Sequence, residues 1–347
     1  MEKGKSKKKN FTWYLVMTGV LVAAVTLAGI SVFGVYMNRF RQMADTNQYD
    51  KYYIMIAGDT NSSLWQSVYE GAFEAGLQEN SYVDLLNGFF DSSYSREDLM
   101  RIAIASEVDG IIVGADESDE MTELINEASA QGIPVVTLYS DNTQSERCTF
   151  VGIGSYDLGR EYGREVLEIA QSKYISERPV RVSVLVNAYA QDSGQNILCS
   201  GIQETIENEK QEEMELELSL VSIDGTNAFS VEESIRDIFM EEDLPDIIVC
   251  LNELNTVCVY QAVVDYNKVG QVNILGYYDS DTIIKAIDRN VIDATISIDT
   301  GQMGKYCVDA LTEYNAYGNT SQYFIADIEL INKDNVALYL DGGDVEE

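Results

Sequence analysis

The chain contains no histidine among its 347 residues. That absence excludes Ser-His-Asp and Cys-His catalysis and removes ordinary histidine-based metal sites. No Ser or Cys nucleophile has a visible base, so no enzyme is expected. Cysteine is sparse too: Cys148, Cys199, Cys250, Cys258 and Cys307 are far apart and form no CxxC. Neither a zinc site nor a thioredoxin-like motif can be built from them, and buried small hydrophobes are the plainer reading. Basic residues are few, 23 against 58 acids. Residues 1–41 hold seven of the bases and one acid, so the remainder carries 16 against 57, a net charge of −41. A surface of that sign repels phosphate backbones, and nucleic acid is excluded as a partner. The run GIGSYDLG lacks the glycine spacing of a dinucleotide loop. ADESDE lacks the alternating ligands and central glycine of a calcium loop, so Asp116, Glu117, Asp119 and Glu120 read as a solvated loop and helix start. No cofactor and no metal are expected.

What is present begins with five lysines in residues 1–10, then an uncharged run over residues 11–36. As a helix that run spans about 39 Å, enough for a bilayer core of about 30 Å with tilt. Trp13, Tyr14 and Tyr36 sit near its ends, where interfacial aromatics belong. The charge bias predicts a single-pass signal anchor with a cytoplasmic N-terminus, a tether over 37–50 and an extracytoplasmic domain over 51–347. A cleaved signal peptide, cut near Thr26-Leu27-Ala28, is the rival. Its apolar region would be about 7 to 15 residues, shorter than this one.

From Lys51 onward, short apolar runs alternate with amphipathic segments. The stretch from Glu107 to Asp141 shows the unit. Ile111, Ile112 and Val113 form a buried strand; Met121, Leu124, Ile125 and Ala128 fall on one helix face; Gly132 and Pro134 end that helix; and Val135, Val136 and Leu138 form a second strand. This is a βαβ unit with a right-handed crossover. Repeated to residue 330, it predicts parallel sheets covered by helices on both faces. The runs VRVSVLVN, LELSLVSI and ATISID read as strands, as do VDLLNGFF and YFIADIEL. Ligands of such folds bind past the carboxyl ends of the strands, where Tyr139, Ser140 and Asp141 lie.

Six stretches, in order and spacing, resemble the type I periplasmic binding proteins, the ribose- and galactose-binding branch related to LacI-type ligand domains. They are NSSLWQSVYEGAFEAG, DGIIVGADESD with GIPVVTLYSD, VGIGSYDLGREYG, CLNELNTVCVYQAV, ILGYYDSDTIIKAI and ATISIDTGQMG. The resemblance covers about residues 51–340. It implies two similar lobes joined by three crossovers, lobe one about 51–153 and 299–325, lobe two about 155–297 and 328–340, closing on a ligand by a hinge.

The family's sugar contacts carry over unevenly. Its stacking aromatic falls on Trp65. Asn252 keeps the asparagine of the Asn-Asp motif, and Glu253 replaces the aspartate. The aspartate after IPVVT becomes Tyr139, followed by Ser140. The arginine five positions before Gly201 becomes Asn196. The aspartate of Gly-Phe-Asp becomes Tyr278, with Asp279 next, the glutamine before the last crossover becomes Ile298, and no second aromatic is assigned near Thr226. These departures remove the bidentate Asp and Arg bonds to vicinal hydroxyls. They leave Trp65, Tyr139, Asn196, Asn252, Tyr278 and Asp279 as a polar cleft for a sugar-like ligand, a polyol or a nucleoside. Each also has a structural reading: Trp65 as core, Asn252 as a strand-end residue, Asp141 as a turn cap. The resemblance implies solute capture for an ABC permease, or a sensing subunit for a membrane kinase or chemoreceptor. A degenerate fold that binds only protein stays open. LacI-type DNA regulation is excluded, because residues 1–50 offer no helix-turn-helix.

Overall fold

The computed structural model describes residues 49–58, 62–88, 94–173, 178–188, 194–224, 228–241 and 243–340. The anchor expected over 11–36 and the tether expected over 37–50, as far as residue 48, lie outside them. Among the described residues no helix is long and apolar enough to cross a membrane.

Lobe one is built on β1 (Lys51–Ile56), β2 (Ser81–Leu85), β3 (Gly110–Val113), β4 (Val135–Leu138), β5 (Thr149–Gly152) and β11 (Tyr323–Ile325). Their spatial order is β11-β5-β4-β3-β1-β2, parallel throughout. The helices of this lobe are α1 (Ser63–Gln78), α2 (Arg96–Ala105), α3 (Asp119–Ala130) and α9 (Thr300–Tyr317). Lobe two is built on β6 (Val180–Asn187), β7 (Leu216–Ile223), β8 (Ile247–Cys250), β9 (Asn273–Tyr277), β10 (Ala294–Ile298) and β12 (Ile328–Asn332), ordered β12-β10-β9-β8-β6-β7. Its helices are α4 (Ser155–Lys173), α5 (Gly194–Glu209), α6 (Ala228–Met240), α7 (Glu253–Asp265) and α8 (Asp281–Asp288).

Burial follows position in the sheets. Central strands such as β3, β4 and β8 are buried at every residue, as expected for sheets covered on both faces. The edge strand β7 exposes Glu217 and Ser219 and half-buries Leu216 and Leu218. On α3 the buried residues are Met121, Leu124, Ile125 and Ala128, the face their spacing predicts. Two helix pairs approach on glycine. A Cβ on Gly304 would lie 2.2 Å from the Val68 carbonyl of α1, and one on Gly159 would lie 2.2 Å from the Leu198 carbonyl of α5. One apolar cluster runs unbroken through both lobes, from Met55 and Met303 to Val249 and Tyr277.

Two readings of the sequence change. The sheet of lobe two is not wholly parallel: β12 runs antiparallel to β10, with Ala294 opposite Asn332 and Ile298 opposite Ile328. The run YFIADIEL is two strands in two sheets, not one. The chain leaves β11 at the carboxyl end of lobe one's sheet and crosses over Ala326 and Asp327. It enters its neighbour from that same end with no helix to carry it back, so it must run the opposite way. In VDLLNGFF the strand stops at Leu85 and a short 3₁₀ turn covers Leu86–Gly88. The Asn87 side chain there bonds both the N–H (2.8 Å) and the carbonyl (3.0 Å) of Ala57, closing off the end of β1.

Candidate functional site

The carboxyl ends of the parallel strands of both lobes meet along one seam. Tyr139 follows β4, and Tyr278 follows β9. Both are left-handed, with φ of 69° and 71°. A bulky residue in that region stores strain of about 1–3 kcal/mol and persists only where its surroundings hold it. The holding bonds are equivalent in the two lobes. Tyr139 N–H donates to the Val151 carbonyl of β5 at 2.9 Å, and Tyr278 N–H to the Ile296 carbonyl of β10 at 2.8 Å. Each lobe thus turns a tyrosine out of its sheet at the same topological point.

The aromatic side chains form a chain across the seam. Trp65, in the first turn of α1 and 9% exposed, lies 6.1 Å from the Tyr139 ring. Tyr139 in turn meets Tyr277 of lobe two edge-to-face at 6.5 Å. The indole rests on backbone: a Cβ on Gly58 or Gly114 would lie 2.8 Å or 2.7 Å from it. Burial pushes the Tyr277 phenol well above its ordinary value, with Tyr139 adding to the effect. Below this layer Tyr162 of α4 donates to the carbonyls of Cys250 (3.1 Å) and Gly276 (2.8 Å), fixing the ends of β8 and β9.

Polar groups flank the aromatics. Ser67 and Thr300 of lobe one stand 2.7 Å apart and both hydrogen-bond the Tyr278 phenol of lobe two. Burial raises the Tyr278 pKa and neighbouring Asp279 adds to it, while those two bonds oppose the rise. Burial likewise raises Asp279, against a 2.9 Å bond from Ser297 and with Glu253 and Glu329 adding charge of the same sign. Asp279, Ser297, Thr300, Asp327 and Glu329 line a recess of about 480 Å³ beside the crossovers. Asn252 caps α7, its side-chain oxygen accepting from Asn255 N–H at 2.8 Å. The cap uses the oxygen and not the two amide N–H donors. Next to it, Glu253 accepts from Ser63 Oγ at 2.6 Å and Ser62 Oγ at 3.2 Å, both of lobe one.

Of the residues expected at the cleft, Trp65 and Tyr139 are brought into contact. Tyr278 and Asp279 stand beside Glu253, the neighbour of Asn252. Asn196 is not brought in. It is exposed on the first turn of α5, where its carbonyl accepts from Ser200 Oγ at 3.0 Å. The side chain that reaches inward from this turn is Gln195, bonded to both backbone groups of Asn187. Asp141 is structural. It accepts from Thr137 Oγ and Asn142 N–H, each at 2.8 Å, and pairs through both oxygens with Arg147, at 2.6 Å from Nη2. Thr226 lies outside the described residues. Phe229, three residues on, is 76% exposed at the start of α6. Ser62, Ser63, Ser67, Ser297 and Thr300 were also missed. Only Glu253 had a signal, as the replacement of a motif aspartate. Among the described residues no three Cys, Asp or Glu side chains converge as a metal-binding group.

A family model described as a periplasmic binding protein domain matches residues 52–319. Among curated protein sequences none matches the chain. Among solved structures the chain is similar to GanP, a glucose-galactose binding protein from Geobacillus stearothermophilus, with a TM-score of 0.72 and 19% identity over 82% of this chain and 98% of that one. It is similar to XylFII, with a TM-score of 0.67 and 25% identity over 82% and 98%. It is also similar to XylFII in a XylFII–LytSN complex, with a TM-score of 0.68 and 24% identity over the same shares.

Proposed function

The chain belongs to the periplasmic binding protein domain family, and on that premise we propose that it is a membrane-anchored, extracytoplasmic binding protein. It captures a small polar, sugar-like solute between its lobes for an ABC-type permease. One observation carries the binding role: both lobes aim the carboxyl ends of their parallel strands at one seam, where Trp65 and Tyr139 of lobe one meet Tyr277 of lobe two, and Tyr278 beside Asp279 is bonded by Ser67 and Thr300 of lobe one. An indole offers an apolar face to sugar C–H groups, and carboxylate, phenol and hydroxyl groups pair with hydroxyls. GanP, by its description a sugar-binding protein of the same fold, favours that ligand class. The anchor rests on the uncharged run over residues 11–36.

The full chain in detergent is screened by thermal shift against sugars, polyols and nucleosides, and each hit is titrated by calorimetry. Asp279→Asn is expected to weaken a hit about 5- to 150-fold, the range for leaving a buried polar partner unpaired. If no compound of these classes raises the melting temperature, the solute-capture reading fails and the protein-only alternative gains. Cell fractionation with N-terminal sequencing tests the anchor, and a soluble form starting near Gly29 overturns it.

A second reading, as the sensing subunit of a membrane kinase, is favoured by the likeness to XylFII, which is also seen in complex with LytSN. Crosslinked membranes separate the two: recovery of a permease supports uptake, and recovery of a kinase supports sensing.

A further inference from the structure

Ser62 occupies the N-cap position of α1, with extended backbone at φ −74° and ψ 131°, yet its side chain makes no capping bond. The corresponding residues of α2, α3, α7 and α9 all cap: Ser95, Ser118, Asn252 and Asp299 accept from backbone N–H groups of their own helices. A serine at this position is among the best capping residues, and Ser280 at the start of α8 makes no capping bond either. What sets Ser62 apart is that its hydroxyl is bonded to the other lobe instead. Ser62 Oγ donates to Glu253 Oε2 at 3.2 Å, and Ser63 Oγ donates to Glu253 Oε1 at 2.6 Å. Both oxygens of one lobe-two carboxylate are therefore gripped by adjacent serines of lobe one, 190 and 191 positions away in the chain.

The bridge is favourable on three counts. Each bond has an ionised acceptor, the stronger class of hydrogen bond. The carboxylate stands in the first turn of α7 and against the first turn of α1, and the positive ends of two helix dipoles favour negative charge there. It also has support beside it, since Tyr278 of lobe two is bonded by Ser67 and Thr300 of lobe one. Every one of these bonds is made between protein atoms.

We propose that Glu253, held by Ser62 and Ser63, is a clasp that draws the two lobes together by itself and sets the fraction of protein that stands closed before any solute arrives. Ser62 gives up its cap to serve it. Glu253 is a positioning residue in this account: it acts through the lobe arrangement, on the population able to admit or retain a solute.

The test uses the full chain in detergent, with no solute added. Spin-labelled non-natural residues replace Glu127 on α3 and Glu232 on α6, both exposed and one in each lobe. Electron–electron resonance then reads the distance between lobes. Glu253→Ala is expected to lower the closed-to-open ratio about tenfold, from the strength of hydrogen bonds to charged groups. Ser62→Ala with Ser63→Ala is expected to do the same from the other lobe, and the three changes combined to do no more than either set alone. Glu253→Gln, which keeps the shape without the charge, is expected to fall between. The proposal is overturned if the serine variant keeps the parent's distance distribution, or if the two sets of changes add as independent sites do. Should Glu253→Ala fail to fold, the serine variant and Glu253→Gln still decide the matter. No solute enters the measurement, so a failed ligand screen and a failed clasp are separate results.

Discussion

Glu165, on α4 of lobe two, lines a small recess of about 160 Å³ with Glu168, Asp293, Asn332 and Lys333. Burial, with Glu168 and then Glu161 adding like charge, raises its pKa from 4.5 to about 7. The protonated form is therefore favoured by folding. Stability from this group is fully present below about pH 4.5 and is lost as pH rises through about 7. Taken at face value the shift is worth about 3 kcal/mol. Glu165 keeps part of its surface in solvent, which screens the effect, so about 1–2 kcal/mol is the reasoned figure. Glu165→Gln keeps size and hydrogen-bonding capacity and cannot ionise. At pH 8 it is expected to be more stable than the parent by that amount, a rise of about 2–5 °C in melting temperature. At pH 5 the two are expected to melt together. The assay is a pair of thermal or urea melts at each pH. The difference between parent and variant is the quantity of interest, because it cancels every other titrating group. A gap of equal size at both pH values would refute the reasoning, since it would show that Glu165 acts through packing and not through its charge.

Three further outcomes follow from the geometry. Asp141→Ala leaves Arg147 buried without its partner, the pair's side chains being 15% and 9% exposed, and is expected to cost about 3–5 kcal/mol in urea melts; a loss below 1 kcal/mol would mean the pair is solvated. Gly304→Ala drives a methyl group onto the Val68 carbonyl at 2.2 Å and the Ala72 nitrogen at 2.3 Å, and is expected to destabilise by at least about 1–3 kcal/mol, since backbone must move; an unchanged melting temperature would contradict that packing. Trp65→Ala is expected to weaken any solute found in the screen and also to lower the melting temperature of the solute-free protein, because deleting a buried aromatic costs about 3–5 kcal/mol; normal melting with weakened binding would place the indole in solvent instead.

The alternation of strands and helices was readable because central strands such as GIIV at β3 and IIVC at β8 are buried over their whole length and are almost wholly apolar. Helix starts were less readable. The helices α4 and α9 begin at Ser155 and Thr300, each about one turn before the first strongly periodic residues, because their opening turns carry polar and glycine residues. At α9 the signal was present, with Asp299 accepting from Gln302 N–H. Motif position named Trp65, Tyr139, Tyr278 and Asp279, which lie at the seam. It also named Asn196, which is exposed, because one step along a helix turns a side chain by about 100° and it is Gln195 that bonds the end of β6. The left-handed tyrosines were not readable at all, since local preference disfavours them and only neighbouring strands hold them there. Nor was the bond between Ser63 and Glu253, which no local pattern encodes.

The crossovers bear on the order in which the protein is made. Lobe one closes its sheet with β11 and packs α1 against α9, yet both late elements are synthesised after nearly all of lobe two. A chain emerging from the ribosome therefore holds β1 to β5 with one edge and one helix face uncovered until residue 325 is free. Lobe two waits as well, for β12. Neither half can mature first and template the other, so the two complete together within the last few dozen residues. That makes the unfinished chain dependent on protection during its passage, and it makes unfolding a single event shared by both halves.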